Sequence, residues 1–134
     1  MCCFRLLVRY LRRNRNRRIE CFRLHRKDSL VTPLTPGSTA VYTATPVPAG
    51  SLPTKANPAT WVSSDPVNAP ISSVDELGLN ATVAPPASAI AGSTFVLTIS
   101  YTNADGTVAT GSVSDVVVAA PSPDIASFIV ARTA

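Results

Sequence analysis

The sequence predicts an all-β chain, an antiparallel sandwich of about seven short strands, and three observations predict it. Residues 94–101 alternate strictly: Phe95, Leu97, Ile99 and Tyr101 point one way, Thr94, Val96, Thr98 and Ser100 the other. Period two is strand geometry, because successive side chains leave opposite faces of a pleated backbone. Short runs of β-branched residues recur from Thr60 onward, separated by Asp65-Pro66, Leu77-Gly78 and Asp105-Gly106, which are turn signals. The most helix-tolerant stretch of that region, residues 84–91, contains Pro85-Pro86 and reads as a loop.

The elements follow in order. Residues 39–44 form the first expected strand, with Val41 and Thr43 on one face and Tyr42 on the other. Pro46, Pro48, Pro53 and Pro58 make residues 46–58 a loop, since proline lacks the N–H that a central strand donates. Residues 60–64 place Trp61 inward and stop at Asp65-Pro66. Residues 71–74 are a short strand closing at Asp75-Glu76-Leu77-Gly78; Leu79, Ala81 and Val83 then share one face of the next. After residues 94–101, Asn103-Ala104-Asp105-Gly106 turns the chain, because Asp-Gly accepts positive φ at low steric cost. The chain returns through residues 107–110 and 112–119, where Val116-Val117-Val118 reads as covered on both faces. Phe128-Ile129-Val130 is a last strand or a tail.

Charge divides the chain differently. Residues 1–28 hold ten of the twelve Lys+Arg and two of the eight acids, so the pI near 9.3 describes this segment and not the remainder, which is net acidic. Phe4, Leu7, Val8 and Leu11 fit a short amphipathic helix, whereas the run through Arg12, Arg13, Arg15, Arg17 and Arg18 repels itself and does not fold alone. The division expected is a basic segment at 1–28, disordered or a short helix, a linker at 29–37, and a sandwich domain at 38–134. The segment reads as a leader outside the domain. The other reading makes it an arm whose Arg12, Arg13, Arg15, Arg17 and Arg18 meet nucleic acid or an anionic surface by counterion release. No apolar run reaches the ~20 residues of a membrane span, and no secretory signal is recognisable.

The chemistry looked for is sparse. His25 is the single histidine and lies in the basic segment, so a Ser-His-Asp arrangement within residues 38–134 is excluded. Cys2, Cys3 and Cys21 make an odd count with an adjacent pair, which is not a disulfide framework, and Cys21 with His25 falls short of a four-ligand zinc site. Asp75-Glu76 are adjacent and do not form the opposed pair that glycoside hydrolysis needs. Asp65, Asp75, Asp105 and Asp115 would have to gather to hold calcium, and Asp105 and Asp65 are already explained by their turns. The sequence therefore predicts no enzyme, no catalytic residue, no metal and no cofactor.

Residues from about Val41 to Ala119 resemble bacterial and phage immunoglobulin-like modules of the group 2-like kind, small single-domain proteins of phage and prophage structural gene clusters. The residues that carry the resemblance are Ala44-Thr45-Pro46-Val47, Thr60-Trp61-Val62-Ser63-Ser64-Asp65-Pro66, Gly78-Leu79-Asn80-Ala81-Thr82-Val83-Ala84, Ala91-Gly92-Ser93 and Val116-Val117-Val118. The resemblance implies an immunoglobulin-like sandwich and a structural or display role on a virion or cell surface. The expected function is an accessory or decoration protein of a phage or prophage particle. The alternatives are a bacterial cell-surface adhesion or spacer module, and a virion protein with a nucleic-acid-binding basic arm. The expected partners are capsid or tail proteins or a second copy of the chain, polysaccharide through the end loops, and nucleic acid through the arm.

Overall fold

The computed structural model describes residues 18–27 and 33–121. Every regular element among them is a strand, so the protein is all-β: β1 (Cys21–Arg26), β2 (Ala40–Val47), β3 (Thr60–Ser63), β4 (Ile71–Val74), β5 (Asn80–Val83), β6 (Thr94–Thr102) and β7 (Val108–Val116). They form one seven-stranded mixed sheet in the order β3-β6-β7-β1-β2-β5-β4. All pairings are antiparallel but one, the parallel contact of β1 with β7 at Cys21 and Thr110.

Two expectations need correcting. The sheet begins ahead of the boundaries drawn at 28 and 38, because Cys21–Arg26 is an interior strand, paired along its length with β2. The strands are also not two separate antiparallel sheets, since β1 hydrogen-bonds on both sides and joins the β2-β5-β4 half to the β7-β6-β3 half. Gly111 makes this junction sterically feasible. A Cβ there would lie 2.5 Å from the Phe22 carbonyl oxygen and 2.6 Å from Leu24 Cδ1, so only a hydrogen lets β7 pass this close to β1. The proposed helix at residues 4–11 and the last strand at 128–130 lie outside the described residues.

The two halves of the sheet face each other across the core. The Tyr42 ring on β2 meets Phe95 on β6 edge to face, with centroids 6.4 Å apart, although β2 and β6 are not neighbours in the sheet. Leu34, Ala40, Val83, Leu97 and Val117 complete this cluster. A second cluster gathers Ile19, Phe22, Ala44, Ala59, Ile99 and Ala109, so two of its members come from the basic segment. Trp61 is half-buried and packs against both clusters, which bears out its inward placement. Its indole nitrogen donates to the Gly78 carbonyl at 2.7 Å. Gly78 has φ +74 and a Cβ there would overlap the Ala59 backbone, so this turn requires glycine.

The alternations expected for β5 and β6 hold: Ala81 and Val83 are buried, as are Phe95, Leu97 and Ile99. β2 runs further than expected, to Val47, through Pro46. The Lys27 N–H bonds to the Val41 carbonyl, and antiparallel alternation from there turns the Pro46 nitrogen away from β1. β5 pairs with β2 only as far as Thr43, so no ladder bond is lost on that side. β7 is likewise one strand through Gly111, and of the three consecutive valines only Val117 is fully buried.

Candidate interaction surfaces

Polar groups inside the fold are committed to holding it. Asn103, buried in the β6–β7 turn, accepts from the Ile19 N–H and donates to the Ile19 carbonyl, both at 2.8 Å. The same amide donates to the Thr107 carbonyl at 3.2 Å and to its hydroxyl at 3.1 Å. One side chain thus ties the approach to β1 to the far hairpin. The local sequence marks Asn103 as a turn former; its bonds to Ile19, 84 positions away, depend on the folded sheet bringing the two together.

A polar seam closes the other end of β1. Arg26 and Tyr42 are cross-strand partners, and both reach Asp115 on β7: the Tyr42 hydroxyl donates at 2.6 Å, and the Arg26 guanidinium lies at 3.4 Å. Burial pushes the Tyr42 phenol well above its ordinary pKa, and its hydrogen bond to the Asp115 carboxylate adds to the shift. Asp115 is therefore structural, and it spans the join between the two halves.

The other described aspartates, Asp65, Asp75 and Asp105, serve their own turns. Asp65 accepts from the Asn68 side chain and backbone, and these bonds hold its carboxyl below the usual range. At Asp75 burial pushes the carboxyl up, but hydrogen bonds from Asn80, Leu79 and Gly78 outweigh it, so its pKa is lowered. Asp105 is lowered by the Thr107 hydroxyl first, then by the Thr107 N–H and, less strongly, by Arg18. No group of three or more potential metal-ligating side chains occurs among the described residues.

Of the arginines proposed to contact nucleic acid or an anionic surface, Arg18 is exposed and pairs with Asp105 at 3.6 Å. Arg12, Arg13, Arg15 and Arg17 lie outside the described residues. Cys21 is buried, and its sulfur is disulfide-bonded. His25 is exposed on β1.

The two outer faces differ in charge. On the β1-β2-β5 side, Arg23, His25 and Lys27 are exposed at alternate positions, ~6.6–6.8 Å apart along the strand direction. Arg23 lies opposite Thr45, and His25 opposite Thr43. This row is a missed feature, because the sequence reading placed it outside the domain. The outer face of β3, β6 and β7 carries no charged side chain at all. Its cross-strand rows read Thr60–Ser100–Thr110 and Val62–Thr98–Ser112, and Val96 lies opposite Ser114. Toward the ends Thr94 lies opposite Val116, and Thr102 opposite Val108. No model of a protein family, no curated protein and no solved structure matches the chain significantly.

Proposed function

We propose that this chain is a non-enzymatic structural or display module with an immunoglobulin-like strand arrangement, acting as an accessory or decoration protein of a phage or prophage particle. The observation that carries the reading is the strand order. β4-β5-β2-β1 on one half and β7-β6-β3 on the other is the order of the two sheets in a constant-type immunoglobulin domain. Its side chains support a mount: the described aspartates Asp65, Asp75, Asp105 and Asp115 are engaged in turns and in the β1 seam. Loops joining β2 to β3 and β5 to β6 would meet partners while the sheet holds them rigidly.

The test is intact mass and N-terminal peptide mapping of the protein recovered from its native source, with particle-bound and free fractions kept apart. A particle-bound product that retains Ile19 and β1 supports the reading. Recovery only in particle-free fractions overturns it.

The exposed Arg23 and Lys27 on the β1 side favour a second reading, a virion protein that contacts nucleic acid. In sequence they follow the arginine run of residues 12–18. Duplex binding that weakens steeply with salt, and is lost in an Arg23→Gln/Lys27→Gln variant, would support it.

A further inference from the structure

We propose that the disulfide at Cys21 is made with Cys2 or Cys3, so that the basic segment is a covalently closed loop fixed to β1. The chain has three cysteines, and Cys2 and Cys3 lie outside the described residues. The sulfur of Cys21 is bonded, so within one chain its partner is a member of that adjacent pair.

Position favours a partner from the same chain. Cys21 is 2% exposed, lies opposite Val47 on β2 and pairs with Thr110 on β7, so strands flank it on both sides. The residues just ahead of it are held in place: Asn103 binds both backbone groups of Ile19, and the Glu20 N–H donates to the Val47 carbonyl at 2.7 Å. Cys2 and Cys3 are at most 19 positions from Cys21 along the chain. A group tethered through so short a segment meets its target at an effective concentration of about millimolar, above what a second chain supplies in dilute solution.

Closure fixes the arginine run at both ends. One end is Arg18, which pairs with Asp105 at 3.6 Å. The other returns to Cys21, since a disulfide holds its two Cα atoms ~4.4–6.8 Å apart. Arg12, Arg13, Arg15, Arg17 and Arg18 then belong to one loop anchored beside the β6–β7 hairpin. The third cysteine stays a thiol next in sequence to the bonded one. Its thiolate can attack the Cys21 sulfur and release its neighbour as a thiolate, so the bond passes between Cys2 and Cys3 with no net oxidation. Such bonds persist in oxidising surroundings and not in a reducing cytosol. The bond holds whatever the loop meets, so its absence would leave the particle reading untouched.

The experiment refolds the full chain in a glutathione buffer. Closure takes two electrons and two protons from two thiols, and glutathione disulfide accepts them and leaves as two molecules of glutathione. After the remaining thiol is blocked with N-ethylmaleimide, trypsin cuts after Arg5, Arg18 and Arg23. Mass spectrometry without reductant should find residues 1–5 joined to residues 19–23. Dithiothreitol should separate them and lower the thermal midpoint of the intact chain by roughly 10 °C, the effect of opening a loop of this size. Cys2→Ser and Cys3→Ser alone should each still close, because the adjacent cysteine substitutes. Cys2→Ser/Cys3→Ser leaves buried Cys21 unaltered and should melt, with or without dithiothreitol, like the reduced wild type. A wild type whose 19–23 peptide runs free, or is joined to a second copy of itself, overturns the proposal. A midpoint that reduction leaves unmoved overturns it equally.

Discussion

Replacing Asn103 by alanine removes four hydrogen bonds at a site where two of the abandoned partners are the N–H and C=O of Ile19, a residue only 2% exposed. A buried backbone group left unpaired costs about 1–3 kcal/mol. Two such groups cost roughly 2–6 kcal/mol, and the neighbouring exposed turn at Asp105 and Thr107 lets some water in, so the expected loss is about 2–3 kcal/mol. That is a large part of a typical domain stability of ~5–15 kcal/mol. Asn103→Asp separates hydrogen bonding from shape. The Oδ1 acceptor remains, but the donor to the Ile19 and Thr107 carbonyls becomes an oxygen facing oxygens. Its charged form is disfavoured in the folded state, so the folded pKa of the new carboxyl is raised. The stability of the variant is then greatest at acidic pH, where the protonated acid can donate again, and falls as pH rises through that pKa. Urea titrations at neutral and acidic pH, read at equal m-values, measure both effects. A loss below 1 kcal/mol for Asn103→Ala, or an aspartate variant as stable as wild type at neutral pH, refutes the clamp.

Other expectations rest on the same packing. Trp61→Ala should cost about 3 kcal/mol in a denaturant titration, the low end for large aromatic truncation because the ring is half-buried; a loss below 1 kcal/mol would contradict its place between the two core clusters. Tyr42→Phe should cost about 1.5–3 kcal/mol by removing a hydrogen bond to a carboxylate. Because the folded state holds the Tyr42 proton more tightly, its contribution is complete below the unfolded phenol's ~10 and is lost as pH rises beyond it. Wild type should therefore lose stability above pH ~10 more steeply than Tyr42→Phe, and parallel pH curves would contradict the assignment. A fragment starting at residue 29 lacks β1 and the buried Ile19 and Phe22, worth about 1.5–3 kcal/mol each. It should show no cooperative thermal transition; a midpoint equal to that of the full chain would show that β1 is dispensable.

What could be read from sequence was local. The strict alternation of β6, the Asp105-Gly106 turn and the Pro85-Pro86 loop depend on sterics within a few residues, and these expectations match the structure, whereas the strand through Pro46 was not local in this sense. Trp61 was recognisable as inward-facing because it interrupts an otherwise small, polar strand. β1 was not recognisable. Its inward positions, Phe22, Leu24 and Arg26, alternate with Arg23, His25 and Lys27, so the strand pattern is masked by charge on both faces. Arg26 can point inward only because Tyr42 and Asp115 meet it there, the latter 89 residues away in sequence.

By itself, then, the sequence determined the all-β class, most strand positions after residue 38 and the absence of charge from alternate positions of β3, β6 and β7. The tertiary structure decided that Cys21–Arg26 belongs to the sheet, that β1 joins its two halves, and that the neutral positions of three strands form one continuous face. The physical reason is range. Pleat and turn chemistry act between near neighbours, whereas the pairing of β1 and the registry of a face depend on groups brought together only when the chain closes.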